Sequence, residues 1–103
     1  MFFICVDKPN PSWASINNGI LICLRCCGSH KELNAEFSLI KALSLEELTP
    51  NDIAYLKTGG NGKLKNFFEG FNILRNNFTV KDKYRTKAAV YYRALVMDII
   101  FLI

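Results

Sequence analysis

The sequence predicts one small domain of the α+β or mainly α class. The chain has 103 residues, and half of them are hydrophobic. This is enough for one compact core and too little for two domains. Short strand-like and turn-forming segments come first, and segments with helical periodicity follow. Strands and helices that are segregated along a chain in this way are typical of α+β and mainly α domains.

The first half of the chain predicts loops and short strands. Residues 5–15 contain two of the three prolines and predict a loop, and Asn17–Gly19 predict a turn. The apolar run Ile20–Ile22 predicts a short strand. Residues 37–45 alternate between apolar and polar side chains, which predicts a half-buried strand. Lys41 lies on its apolar side, either because the strand has a bulge or an edge there, or because the lysine is held at a site.

Two helices are predicted together with their boundaries. Thr49 can cap the first one, a proline fits its first turn, and Asp52 faces the positive end of the helix dipole. Gly59–Gly60 predict its end, because glycine accepts the left-handed conformation. Asn61 is the expected cap of the next helix, whose apolar residues follow i, i+3, i+4, i+7 spacing and predict a core stripe. The stripe consists of Leu64, Phe67, Phe68 and Phe71.

A short helix and a final helix complete the predicted elements. Gly28–Leu33 predict the short one, with Ser29 as its cap, and residues 72–77 predict a loop. The final helix is expected from about Arg85 to Met97. Its apolar stripe is made of Ala88, Tyr91, Tyr92, Leu95 and Val96.

Cysteine spacing predicts half of a zinc site. Cys23 and Cys26 form a C-x2-C pair, which clamps Zn²⁺ from a tight turn. Cys5 is the one cysteine upstream, so a four-ligand site lacks one cysteine, and Cys27, His30 or water could supply that position. The alternative is a set of buried thiols without metal. For His30, a structural hydrogen bond to a nearby backbone group is favoured over a role as ligand or base.

Positive charge is concentrated in the second half of the chain. The net charge is +4, and residues 54–93 hold nine lysines and arginines against two acids. This segment is either an ordinary solvated face or a contact for a membrane surface or an acidic partner. No secretory signal is visible, and no apolar stretch reaches the roughly 20 residues that span a bilayer. We therefore expect a cytosolic protein whose cysteines bind metal or stay reduced.

Several motifs together resemble the zinc-finger core of Arf GTPase-activating proteins. Residues 10–31 contain N-P-S-W-A-S and G-I-L-I-C-L-R-C-C-G-S-H-K, which resemble the family's N-P-x-W-[AV]-S and G-x-x-[IVL]-C-x2-C-[SA]-G-x-H-R. K-A-L-S-L-E at 41–46 resembles its R-S-x-T-x-D segment, and G-G-N at 59–61 its turn between helices. K-Y-R-T-K-A-A at 83–89 matches K-Y-x-x-x-A-A. The resemblance covers about residues 5–96.

This resemblance implies a single Arf-GAP-like domain over residues 1–103, in which a short sheet packs against several helices. The zinc-finger portion would span about residues 5–45, and the helical portion about 49–97. The family's finger is C-x2-C-x16-C-x2-C, whereas Lys8 stands near the place of the second cysteine here. The implied structural zinc site is therefore short of one thiolate. Its ligands would be Cys5, Cys23 and Cys26.

The resemblance also implies a GTPase activator that acts in trans on an Arf-type small GTPase, and not an enzyme by itself. Lys31 stands where the family has its arginine finger, which stabilises the charge that develops during phosphoryl transfer. Trp13, Lys41 and Glu46 are the expected contacts with the partner. The implied setting is vesicle trafficking, in the cytoplasm and at the periphery of Golgi or endosomal membranes, without nucleic acid.

Lysine at the finger position leaves a second interpretation open. An arginine fork bridges two oxygens, whereas lysine is a point charge. The chain is therefore an activator, or else a weakened or inactive Arf-GAP-like binding or adaptor module; a truncated gene product is a third alternative. A largely buried Trp13 and salt-sensitive binding to anionic vesicles are further expectations.

Overall fold

The fold combines a small antiparallel sheet with several helices. The computed structural model describes residues 12–71 and 79–101. The strands are β1 (Trp13–Ser15), β2 (Ile20–Ile22) and β3 (Ile40–Ala42), with a 3₁₀ turn at Ile16–Asn18. The helices are α1 (Leu24–Lys31), α2 (Pro50–Thr58), α3 (Asn61–Gly70), α4 (Val80–Arg85) and α5 (Lys87–Phe101). The prediction of a small, mainly helical α+β domain is confirmed.

β1 forms the centre of the sheet, which has the strand order β2-β1-β3 with both pairings antiparallel. Trp13 lies opposite Ile22 on one side and opposite Ala42 on the other. The loop predicted over residues 5–15 is therefore wrong at its C-terminal end, and its part before residue 12 lies outside the described residues. Pairing with two strands overrides the local loop signal, because it provides hydrogen-bond partners for the backbone on both edges of β1.

β3 is shorter than the strand predicted over residues 37–45. A backbone turn over residues 34–38 precedes it, and a second turn over residues 42–46 follows it. Both turns use local backbone hydrogen bonds, so β3 is limited to three residues, and one further backbone bond flanks it at each end (the Ile16 amide to the Leu39 carbonyl, and the Leu43 amide to the Ser12 carbonyl). The strand predicted at Ile20–Ile22, in contrast, is confirmed as β2.

α1 begins four residues earlier than the helix predicted for Gly28–Leu33. Cys23 rather than Ser29 holds the N-cap position, with extended backbone angles (φ −84°, ψ 169°). The Cys23 carbonyl accepts a hydrogen bond from the Cys27 amide at 2.9 Å. The chain thus passes from β2 into α1 within one residue, which places the C-x2-C pair at a strand-to-helix junction.

α2 starts as predicted. Thr49 Oγ1 accepts a hydrogen bond from the Asp52 amide at 3.1 Å, and Asp52 Oδ2 accepts one from the Thr49 amide at 2.9 Å. The two residues therefore form a capping box. Pro50 is the first helical residue, where its missing N–H costs no helical hydrogen bond.

The turn between α2 and α3 differs from the predicted caps. Gly59 has φ −85°, outside the left-handed region, whereas Gly60 has φ 110°. Asn61 is the first residue of α3 and not its cap, because its side chain is used elsewhere. It accepts from the Leu21 amide at 2.8 Å and donates to the Leu21 carbonyl at 2.7 Å, which clamps the turn onto β2. Gly19 (φ 66°) permits this approach, since a Cβ there would lie 2.8 Å from a carbonyl oxygen of α2.

The predicted final helix is interrupted at Thr86, which ends α4 and precedes α5. Thr86 has extended backbone angles (φ −64°, ψ 157°). Its hydroxyl donates to the Lys83 carbonyl at 2.8 Å and accepts from the Ala89 amide at 3.1 Å. The helix predicted from Arg85 to Met97 therefore starts later, and it also extends further. The loop predicted at 72–77 lies outside the described residues.

The core lies between the sheet and the helices. The stripe predicted for α3 is confirmed at Leu64 and Phe68, which are completely buried, whereas Phe71 is 55% exposed. Within the two described ranges, no helix has both the length and the apolar character that are required to span a bilayer. The core cluster contains Ile20, Ile22, Cys27, Leu33, Leu64, Phe68, Tyr84, Ala89, Tyr92 and Val96.

Candidate functional site

The predicted finger residue lies against the predicted contact residue Trp13. Lys31 is the exposed last residue of α1, and its Nζ lies 4.5 Å from the centroid of the Trp13 ring. This distance is typical of a cation–π contact. Trp13 is partly buried and packs against the core, so it is less buried than predicted. Its ring instead supports the Lys31 ammonium at the protein surface.

A buried histidine fixes α1 directly behind Lys31. His30 is 1% exposed; its Nδ1 lies 2.7 Å from Ser38 Oγ, and its ring centroid lies 4.5 Å from that of Tyr84. Burial, together with the positive charge of Lys83, lowers the pKa of His30 to about 4. The imidazole is therefore neutral at pH 7. His30 is a structural residue, although it bonds a side-chain hydroxyl rather than the predicted backbone group.

A buried series of hydrogen bonds runs from His30 towards α5. Ser38 Oγ lies 2.7 Å from Ser15 Oγ, and Asn18 Nδ2 donates to Ser15 Oγ at 2.9 Å. Arg93 of α5 donates to Asn18 Oδ1 at 3.0 Å. These contacts join β1, α1 and α5 behind the finger residue. No local sequence pattern marks them, because most of these bonds join residues that are far apart in the chain.

Lys41 and Glu46 lie on either side of the bend that follows β3. Lys41 Nζ bonds Asp52 Oδ2 of α2 at 2.5 Å, and their side chains are 21% and 9% exposed. Burial raises the pKa of Asp52, but hydrogen bonds from Lys41 and Thr49 outweigh it and hold the pKa below its ordinary value. Glu46 is exposed, and its Oε2 accepts from the Ala42 amide at 2.8 Å. β3 is an edge strand, as the first explanation for Lys41 on an apolar strand face requires, and the lysine is held there by its ion pair with Asp52.

The cysteine pair lies where β2 meets α1. Cys23 caps the helix and Cys26 lies on its first turn, so the two are three residues apart on one face of the helix. Both side chains are partly buried. This position fits one half of a tetrahedral zinc site.

The described residues do not supply the remaining ligands. Within residues 12–71 and 79–101, no three His, Cys, Asp or Glu side chains are grouped so that they could hold a metal ion. Cys27 is buried, and burial raises the pKa of its thiol, while His30 makes the hydrogen bond described above. Within the described residues, neither side chain is grouped with Cys23 and Cys26 in such a site. The predicted ligand Cys5 lies outside the described part.

Comparison with known proteins gives a family match over nearly the whole chain. A family model described as "Putative GTPase activating protein for Arf" matches residues 3–97. The chain is 35% identical over 71 residues to the ADP-ribosylation factor GTPase-activating protein AGD12 of Arabidopsis thaliana, which covers 66% of this chain and 21% of that protein. It is 34% identical over 95 residues to stromal membrane-associated protein 1 of Mus musculus, which covers 81% of this chain and 21% of that protein.

A solved structure shares the fold. It is the crystal structure of a "putative GTPase activating protein for ADP ribosylation factor" from Cryptosporidium parvum. The TM-score is 0.80 at 25% identity, and the match covers 95% of this chain and 79% of that chain. The chain spans about a fifth of the length of the curated relatives it matches. From the family match, these relatives and the shared fold, we conclude that the chain belongs to the Arf GTPase-activating protein family.

Proposed function

We propose that this chain accelerates GTP hydrolysis by an Arf-type small GTPase, and that Lys31 is the residue it presents to the reacting phosphate. Family membership supports the activity, and so does the name of the relative from Arabidopsis, an ADP-ribosylation factor GTPase-activating protein. The observation that carries the residue assignment is the exposed Lys31 ammonium, held 4.5 Å from the Trp13 ring centroid at the end of α1.

A lysine can perform part of the work of an arginine finger. Negative charge on the phosphoryl oxygens is stabilised by a nearby cation during transfer. The Lys31 ammonium is a point charge that donates to one oxygen at a time, whereas an arginine fork bridges two. We therefore expect a measurable acceleration that is smaller than the roughly 10³–10⁵-fold supplied by an arginine finger.

Trp13 is proposed as the positioning residue for the finger. Its ring restricts the Lys31 ammonium before the GTPase docks, so less side-chain freedom remains to be lost on binding. The backbone is held as well, because the neighbouring His30 is buried and bonded to Ser38. Trp13→Ala should therefore lower the rate of hydrolysis more than it weakens GTPase binding.

Lys41 and Glu46, together with Trp13, are proposed as contacts with the GTPase. Asp52 holds Lys41 in one orientation while about a fifth of the lysine side chain stays exposed. Glu46 is exposed beside the same bend. Because Asp52 already restricts the Lys41 side chain, little side-chain entropy remains to be lost when it contacts the GTPase. Lys41→Ala is therefore expected to weaken GTPase binding more than it lowers the hydrolysis rate within the complex.

Zinc is the proposed structural cofactor, held by Cys23 and Cys26 with Cys5 as the third ligand. When bound, the ion would hold the chain together at the β2–α1 junction and would take no part in hydrolysis. The position of the two described thiols at the start of α1 supports this role. Lys31 is the last residue of the same helix, so a metal ion that holds the start of α1 would also help to hold Lys31 in place.

We place the activity in the cytoplasm, at the surface of Golgi or endosomal membranes during vesicle trafficking. Exposed cations support attraction to an anionic bilayer, at about 1 kcal/mol for each one near the surface. Those outside the finger region include Lys63, Lys81 and Arg85. Binding to anionic vesicles should weaken as salt is raised, and binding that is insensitive to salt would contradict the membrane contact.

A second candidate is an adaptor module that docks on the GTPase without accelerating hydrolysis. The observation in its favour is that residue 31 is a lysine, a point charge without the fork of an arginine. The two candidates differ in one quantity only, the hydrolysis rate within the complex.

Single-turnover hydrolysis separates these candidates. An Arf protein loaded with GTP is mixed with the wild-type chain, Lys31→Ala or Lys57→Ala, and complex formation is measured in parallel with a non-hydrolysable GTP analogue. Lys57 is an exposed lysine of α2, and its variant should match wild type. Lys31→Ala should lose most of the acceleration and keep its binding. Binding without acceleration by the wild-type chain would establish the adaptor instead, and absence of binding would contradict both candidates.

A further inference from the structure

α5 is buried on one side only, although it is apolar on both. Tyr92 and Val96 of its predicted stripe are buried, whereas Tyr91 and Leu95 of the same stripe are 56% and 36% exposed. A helix that is hydrophobic all round is normally covered on all sides, and an exposed apolar patch of this extent is typical of an interaction surface. The exposed hydrophobic residues of α5 are Val90, Tyr91, Leu95, Met97, Ile99 and Phe101.

The side of α5 opposite its buried residues, here called the outward face, carries two charges of opposite sign. Lys87, Tyr91, Ala94 and Asp98 follow i, i+4, i+7, i+11 spacing, so they fall on one line along the helix. All four are exposed. The third charge of the helix, Arg93, is directed inward to the hydrogen bonds described above. Within the described part of the chain, Lys87 and Asp98 take no part in a salt bridge.

We propose that the outward face of α5 binds the same face of a second copy of this chain, with the two helices antiparallel. A two-fold axis near residues 92–93 would place Lys87 of each copy opposite Asp98 of the other. Tyr91 would then lie over the partner's Ala94, a small residue that leaves room for the ring. Two ion pairs therefore flank an apolar centre. A parallel pair would set lysine against lysine, so the charges specify the antiparallel direction.

The apolar surface continues beyond α5 on both sides. The helix has 15 residues and is about 22 Å long, which is narrow for a specific interface. On one side, the Tyr91 ring lies 6.3 Å from the Phe67 ring, next to the exposed Phe71. On the other side lies a cleft of about 350 Å³. Its lining includes Tyr55, Val90, Ala94 and Met97. An interface of this extent is at the small end of specific interfaces, so we expect roughly micromolar association.

Charge reversal tests both the surface and its direction. Sedimentation velocity of the whole chain between about 1 and 500 µM should show a monomer–dimer equilibrium. Lys87→Glu sets two acids against each other at each end of the pair, and Asp98→Lys sets two lysines there. Each variant alone should weaken dimerisation by about tenfold or more. Lys57→Glu, a reversal on the exposed surface of α2, should dimerise like wild type.

A mixture of the two variants is the decisive arm of this experiment. In a heterodimer of Lys87→Glu with Asp98→Lys, every reversed charge meets an opposite one, so the mixture should associate more tightly than either variant alone. A wild-type chain that is monomeric over the whole range would overturn the proposal. The proposal would also be overturned if both single variants dimerised as tightly as wild type, or if the mixture associated no more tightly than either variant alone.

Discussion

Removal of the Asp52 carboxylate should lower the free energy of unfolding by about 3 kcal/mol. The variant Asp52→Ala loses the bond to Lys41 at 2.5 Å and the hydrogen bond from the Thr49 amide at 2.9 Å. A charge-assisted hydrogen bond contributes about 1.5–3 kcal/mol. We take about 2 kcal/mol here, because the lysine side chain keeps 21% of its exposure. The lost capping bond adds about 1 kcal/mol, and the total corresponds to a fall in Tm of about 12 °C.

A double-mutant cycle measures the charge pair separately from the cap. Denaturant unfolding of Asp52→Ala, Lys41→Ala and the double variant should give a coupling of about 2 kcal/mol. Glu47→Ala removes an exposed carboxylate just before α2 and should change stability by less than about 0.5 kcal/mol. A coupling below about 0.5 kcal/mol would refute the reasoning, because the pair would then behave like an ordinary surface ion pair.

The sign of the pH dependence follows from the same carboxylate. The pKa of Asp52 in the folded chain lies below its ordinary value of 3.8, so the unfolded chain takes up a proton first as the pH falls. The stabilisation is therefore complete above about pH 4 and is lost as the pH falls through the folded pKa. Asp52→Ala should lose less stability than wild type on acidification through this range.

Three further predictions concern other parts of the site. His30 has a pKa of about 4 in the folded chain, so the unfolded chain takes up a proton there first as the pH is lowered. The wild-type Tm should therefore fall as the pH is lowered from about 6.5 to about 4, and His30→Gln should flatten this fall. Asn61→Ala leaves two backbone groups of β2 without their partner and should cost about 2 kcal/mol in denaturant unfolding, whereas the exposed Asn66→Ala should be nearly neutral. Under reducing conditions, Cys23→Ser should lower zinc affinity by about tenfold or more in equilibrium dialysis, and Cys27→Ser should not. These predictions would be contradicted by a wild-type Tm that does not change with pH, by equal losses of stability in Asn61→Ala and Asn66→Ala, or by equal zinc affinities of Cys23→Ser and Cys27→Ser.

The elements that were predicted correctly have their stabilising contacts close together in the chain. Thr49 and Asp52 are three residues apart and form the whole capping box of α2. β1 was missed because its stability comes from pairing with two strands that a local pattern does not show. Asn61 was misassigned as a cap because its side chain bonds Leu21, which lies 40 residues away.

The candidate site residues come from motif resemblance, whereas the contacts that they make do not follow from the sequence. Motif resemblance indicated Lys31 and Trp13, but their cation–π contact joins two separate elements and has no local signature. The alternation over β3 places Lys41 on the apolar side of the strand, but it shows neither the edge position of β3 nor the ion pair with Asp52 of α2. Side-chain contacts between distant elements depend on the packed fold, so one sequence does not reveal them.

The variant Lys31→Arg tests most directly whether residue 31 acts on the transition state of GTP hydrolysis. Single-turnover hydrolysis by one GTP-loaded Arf protein is compared between wild type and Lys31→Arg, and the affinity for the GTPase is measured separately. An arginine fork bridges two oxygens where the ammonium reaches one. The rate should therefore rise by about tenfold or more at unchanged affinity. A variant that binds the GTPase as tightly as wild type and hydrolyses GTP no faster would contradict this role.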